Sequence, residues 1–257
     1  MTTHPTAPLT AERVFAGRSI RRSLRDPEAV IMAVLLPVML LLLFTLVFGG
    51  ALRPGGGYID YVVPGIILTC AGFGASSTAV AVAVDMRTGV IDRFRTMPIR
   101  AGAVLTGHVV ASLVRNLVAT GVVVLVAMLL GFRPTADPAA WAGATGTVAL
   151  WILAITTLFA AIGLAARSAE SANAAGFALL FLPYLSSAFV PIDTMPGWLQ
   201  PIARFQPVTP VIETVRGLLL GGTETAEAVQ SLLWCTGITA VAAAWGAWLF
   251  RRSAGRR

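Results

Sequence analysis

Six apolar runs constrain this chain more than any other feature. They span residues 29–50, 61–84, 104–131, 141–166, 172–190 and 229–250, and none contains Asp or Glu. A helix needs about 20 apolar residues to cross a hydrocarbon core of about 30 Å, so each run is expected to be a membrane span. A soluble domain could bury such runs only beneath a polar surface. Charged residues make up 12% of the 257-residue chain, about half the ~25% usual in soluble domains. The expected fold is an all-α membrane protein of six transmembrane helices. The first run is too long for the apolar core of a cleavable signal, so it is expected to remain as the first span.

Arginine supplies all 19 basic residues and sets the orientation. With the amino terminus inside, fourteen arginines flank cytoplasmic ends, only Arg53, Arg133, Arg204 and Arg216 face outward, and Arg115 lies within the third run. Positive charge accumulates on the cytoplasmic side, so both termini are expected there. The same clustering fits a membrane surface better than a nucleic acid, although the formal net charge is +7.

Residues 1–28 read as a cytoplasmic tail with an amphipathic helix over 10–26. Val14, Phe15, Ile20 and Leu24 share its apolar face, arginines occupy the other, and Pro27 breaks it. Such a helix lies in the interface plane. The six spans form one domain, 29–250, followed by the basic tail 251–257.

Between the second and third runs, Val90, Ile91, Phe94 and Met97 recur at helical spacing among Asp85, Arg87, Asp92, Arg93 and Arg95. Gly89 lies inside this stretch and Pro98 ends it. A short amphipathic helix of this kind can dock in a groove of a soluble partner. A solvated loop whose arginines anchor topology is the alternative.

The segment 191–222, between the fifth and sixth spans, is expected to be extracellular and built of broken or re-entrant helices lining a vestibule. Pro191, Pro196, Pro201, Pro207 and Pro210 interrupt it, and Asp193, Met195 and Trp198 lie between them, Trp198 at headgroup level. Thr209 reads as a helix cap with Pro210 in the first turn. Glu213 and Arg216 fall one turn apart and can pair. Gly221 and Gly222 end the helix. A Pro-rich external cap without cargo contact is the alternative reading.

Several chemistries are missing. The phosphate loop GxxxxGK[ST] requires Lys, and the chain has none, so it cannot hydrolyse ATP by that route. HExxH, GxSxG and GxGxxG do not occur. His4 and His108 are remote in sequence, so no metal site is expected. Cys70 and Cys235 lie in apolar runs and read as packing residues. Arg115 is expected to snorkel to the cytoplasmic surface, with pairing in the membrane as the alternative. The second run is rich in small residues from Gly72 to Ala83, which permit close helix approach.

The stretch from Asp85 to Pro98 resembles that of the ABC-2 type exporter permeases, in particular the daunorubicin/doxorubicin resistance permeases. So do 188–199, Gln206-Pro207-Val208-Thr209-Pro210 and Arg216-Gly217. The resemblance covers nearly the whole chain. It implies the ABC-2 exporter fold, with about 87–98 as a coupling helix that receives motion from an ATPase. It also implies two copies of a separate ABC ATPase subunit, which would bind ATP and Mg, and a second permease subunit, identical or a sister. No cofactor is expected in this chain, and it is expected to be a non-catalytic subunit in a bacterial plasma membrane. The implied function is outward movement of an amphipathic drug, lipid or lipid-linked glycan. A partner-independent secondary carrier or channel explains six spans equally well, but the missing intramembrane carboxylates speak against an ion-driven carrier.

Overall fold

In lipid a chain must close its backbone hydrogen bonds on itself, and apolar runs bounded by Pro, Gly and capping residues do so as helices. The computed structural model describes residues 27–52, 57–88 and 102–254, and no strand occurs among them. Helix α1 (Pro27–Leu42) continues into a π-turn (Leu43–Val47) and a short α2 (Gly49–Leu52). Then come α3 (Tyr58–Arg87), α4 (Gly102–Leu129), α5 (Pro138–Ala165) and α6 (Ala169–Leu179). Two 3₁₀ turns (Leu182–Leu185 and Ile192–Thr194) lead to α7 (Gln200–Phe205), α8 (Val208–Leu220) and α9 (Thr225–Ala254).

Local chemistry sets the helix ends. Asp137 caps α5 by accepting from Ala140 N–H at 2.7 Å, with Pro138 in the first turn. Ser168 and Ser171 cap α6 reciprocally. At the end of α4, Phe132 N–H reaches Ala127 O at 3.0 Å and Gly131 N–H reaches Met128 O at 3.2 Å, a Schellman closure that buries Phe132.

Among the described residues, four helices are long and apolar enough to cross a membrane: α3, α4 from Leu105, α5, and α9 to Arg252. The 28 residues of α5 extend about 42 Å. Helix α3 is the axis of the molecule, with 72% of its apolar window buried against 17% for α9. Helices α1, α4, α5, α6 and α8 pack on α3, while α9 packs on α5 and α8. The outer faces of the π-turn after α1, of α4 and of α9 expose Leu46, Leu125, Leu233 and Val241, a surface suited to lipid. At Gly65 the chain approaches α3 so closely that a Cβ would stand 2.6 Å from Ala188 O.

The fifth apolar run is not the single helix expected over 172–190. Helix α6 stops after Leu179, where Leu180 N–H is shared between Gly176 O and Phe177 O, and Pro183 then enters a 3₁₀ turn. Proline has no N–H to continue the ladder. The segment still runs from one end of the bundle to the other. Its start lies where Arg87 acts on Glu170, and at its far end Tyr58 Oη donates to Phe189 O at 2.9 Å. The first run also departs from a regular helix: Phe48 N–H bonds Leu43 O, five residues back. The expected interfacial helix over 10–26 lies outside the described residues.

Candidate functional site

The bundle has two polar ends. At one, α3 terminates at Arg87 with Thr88 N–H on Val84 O, and α4 begins. Of the coupling residues read from the sequence, Asp85 and Arg87 lie here; Gly89, Asp92, Arg93, Phe94, Arg95, Met97 and Pro98 fall outside the described residues. Asp85 Oδ2 pairs with His108 Nε2 at 2.8 Å, clasping the end of α3 to the start of α4. His108 has no metal-ligand spacing in the sequence, and its pairing with Asp85, 23 residues away, was not foreseen. Glu170, at the start of α6, has its carboxyl held below the ordinary range by the Ser168 hydroxyl, by its own N–H and, more weakly, by Arg87.

Two turns along α4 from His108, Arg115 reaches across to α3 rather than only toward the surface. It donates to Gly74 O at 3.0 Å and to Ser77 Oγ at 2.8 Å. Asn116 beside it is fully buried; its Nδ2 donates to Ser112 Oγ at 3.2 Å, and Ser112 Oγ lies 3.5 Å from Thr156 Oγ1. The Asn116 amide fills the space a Cβ would take at Gly74. The sequence reading missed this polar seam between α3, α4 and α5.

At the opposite end, Arg216 organises the segment between α6 and α9. It bonds Glu213 Oε1 at 2.5 Å, as its spacing predicts, and also donates to Tyr61 O and Ser187 O, each at 2.9 Å. Its guanidinium lies 3.9 Å from the Tyr61 ring centroid. One side chain thus joins α8, α3 and the broken fifth run. Arg204 pairs with Asp193 at 2.6 Å in an exposed position.

These groups border an open hollow of about 640 Å³. Pro191, Asp193, Thr209, Pro210, Glu213 and Arg216 line it, whereas Met195, Pro196, Trp198 and Pro207 do not. Met195 is buried and Trp198 strongly exposed. Thr209 is not the helix cap expected of it. Helix α8 begins at Val208 behind Pro207, and Thr209 Oγ1 instead donates to Ala203 O at 2.5 Å, supplying α7 with the donor its terminal carbonyls lack. The hollow also draws on residues not foreseen: Tyr61, Ser187, Arg204, Glu224, Glu227 and Gln230. Glu224, Glu227 and Gln230 recur every third residue, a helical signal that the sequence carries.

Comparison with known proteins fits this architecture. The ABC-2 type transporter family model matches residues 11–220. The "Daunorubicin resistance ABC transporter permease protein DrrB1" of Streptomyces coeruleorubidus is 32% identical over 197 residues, covering 76% of this chain and 70% of the relative. The "Probable doxorubicin resistance ABC transporter permease protein DrrC" of Mycobacterium tuberculosis is 27% identical over 237 residues, 88% of this chain and 83% of the relative. With its helical bundle, its apolar spans and a family match over most of its length, the chain belongs to the ABC-2 type transporter family.

Proposed function

We propose that this chain is the permease subunit of an ATP-driven exporter that moves an amphipathic drug, lipid or lipid-linked glycan out of a bacterial cell. The observation that carries the reading is the family match over residues 11–220, joined by relatives named as resistance permeases. The chain crosses the plasma membrane six times with both termini inside, the fifth crossing being the broken segment after Ser168. Two such permeases, identical or sister chains, form the pathway. Two separate ATPase subunits, holding ATP and Mg, drive it. The energy enters through 87–98, and the Asp85–His108 clasp fixes where that segment is mounted on the bundle. The absence of Lys supports dependence on a partner, because a P-loop needs one.

The test is copurification with a candidate ABC ATPase, followed by nucleotide hydrolysis and cargo movement in vesicles. Transport should require the partner, and Phe94→Asp should abolish partner-driven transport while leaving membrane insertion intact. ATP turnover by the pure chain would defeat the proposal. Flux driven by an ion gradient without any partner would favour the secondary carrier instead.

A further inference from the structure

Helix α9 stands at the edge of the bundle, packed on α5 and α8 only, so most of its surface faces lipid. It runs parallel to α5. Ile238 shares a cavity wall with Trp151 and Ile155, and further along a Cβ on Gly246 would lie 3.7 Å from Ala161 Cβ and 3.8 Å from Leu164 Cδ1. Arg251 and Arg252 follow about 8 Å beyond Gly246. Helix α5 ends at Ala165, so both arginines project past it, level with the turn that carries Arg167.

The charge at this end is unbalanced. Arg167, Arg251 and Arg252 are exposed, and none makes a salt bridge among the described residues. The carboxylate of α9 itself, Glu227, sits in its first turn, about 36 Å from Arg251. Asp85 and Glu170, the carboxylates described at this end, face His108 and Arg87.

A second, independent feature sets the depth of the charge. Arginines that served only as a topology signal could extend into water beyond the helix end. Arg252 instead folds back one turn along α9, its guanidinium 5.1 Å from the Trp248 ring centroid. Trp248 is 51% exposed and continues one stripe with exposed Val241 and Trp245. Indoles on such a stripe settle at headgroup level, so the cation is held there, on the side of the helix rather than at its tip. A protein groove or a free anion would meet the tip. A cation laid against an interfacial indole meets the phosphate layer of the bilayer.

We infer that this end of α9 binds an anionic phospholipid. The Arg252 guanidinium takes two oxygens of the phosphate, Arg251 adds a second cation, and an acyl chain lies along the stripe of Trp248, Trp245 and Val241. A choline headgroup fits poorly, because it brings its own cation to an uncompensated positive cluster. The inference needs only that α9 lies in a bilayer and stands apart from the exporter reading.

The test uses the purified full chain in phosphatidylcholine nanodiscs doped with brominated phosphatidylglycerol or brominated phosphatidylcholine, bromine quenching an indole only at contact. Each chain is measured against its own Trp248→Phe counterpart, which isolates the Trp248 signal. Quenching should need about tenfold less of the glycerol lipid than of the choline lipid, and the preference should shrink with added salt. Arg251→Gln and Arg252→Gln should each reduce it to about threefold, and the double variant should abolish it. Equal quenching by the two lipids in the wild type, or an undiminished preference in the double variant, overturns the site. Loss of the preference on adding inorganic phosphate, beyond the effect of chloride at equal ionic strength, assigns the arginines to a free anion and overturns the lipid. Gln variants that keep the lipid preference but no longer copurify with the ATPase assign them to a protein contact and overturn it too. A chain that selects the anionic lipid yet moves nothing with its ATPase refutes the exporter reading alone.

Discussion

Arg216→Met should be among the most damaging single changes outside the apolar core. The substitution keeps the length of the side chain but deletes the donors to Glu213, Tyr61 O and Ser187 O and the cation over the Tyr61 ring. Removing one partner of a buried ion pair costs about 3–5 kcal/mol, because the other charge is left uncompensated. Arg216 exposes only 13% of its side chain, but Glu213 exposes 26% and recovers some hydration, so about 3 kcal/mol is the appropriate figure. For a chain of this size that corresponds to a fall of roughly 6–12 °C in melting temperature. Cys70 and Cys235 provide the readout, since both are buried thiols outside any disulfide and react with a thiol-sensitive dye only on unfolding. Arg216→Met/Glu213→Gln should recover about half of the loss, as the stranded charge is gone while the two carbonyls still lack their donor. If Arg216→Met melts with the wild type, or the double variant melts no higher than the single, Arg216 is not the junction of these three segments.

The same assay checks three further expectations. Gly65→Val should cost about 1–3 kcal/mol through collision with the Ala188 backbone, whereas Gly237→Ala, with open space around its Cβ, should be neutral or stabilising by up to about 1 kcal/mol. Asn116→Ala should cost about 1–3 kcal/mol by vacating the space against Gly74 and leaving Ser112 without its donor. Asp85→Ala and His108→Ala should each cost about 0.5–1.5 kcal/mol, and the double variant should cost little more than either alone, since both remove one contact; additive losses would show that the clasp is not formed.

Four long helices were legible because hydropathy reports what lies in lipid, and the structure moves their ends by only a few residues toward the caps Asp137 and Gly131. Hydropathy is silent about whether an apolar run stays helical. The residues after Leu179 remain apolar, so the break before Pro183 is invisible to a window average, although the proline itself is the local signal. Thr209 failed for another reason. A Thr-Pro pair and the preceding Pro207 both satisfy the rules for a helix start, and the choice was made by α7, whose Ala203 carbonyl took the Thr209 hydroxyl. A tertiary neighbour decided what local pattern left open.

The polar seam shows how two ambiguous readings resolve each other. The small residues of α3 were legible as permission for close approach, but they name no partner. Arg115 was legible as a charge needing an outlet, with snorkelling and pairing both open. Brought together, they form one interface: Gly74 lacks a side chain, so Asn116 fits against it, and its carbonyl accepts from Arg115. The hollow follows the same logic in reverse. Glu224 and Glu227 lie outside the apolar runs, because charge marks where such a run ends. Yet a helix that begins before its apolar stretch carries Glu227 in its first turn, with Glu224 just ahead of it, and α8 together with the broken fifth run supplies the opposing wall. Span boundaries are drawn by excluding ionisable residues, so they systematically remove from view the side chains best placed to meet a polar ligand at the mouth of the bundle.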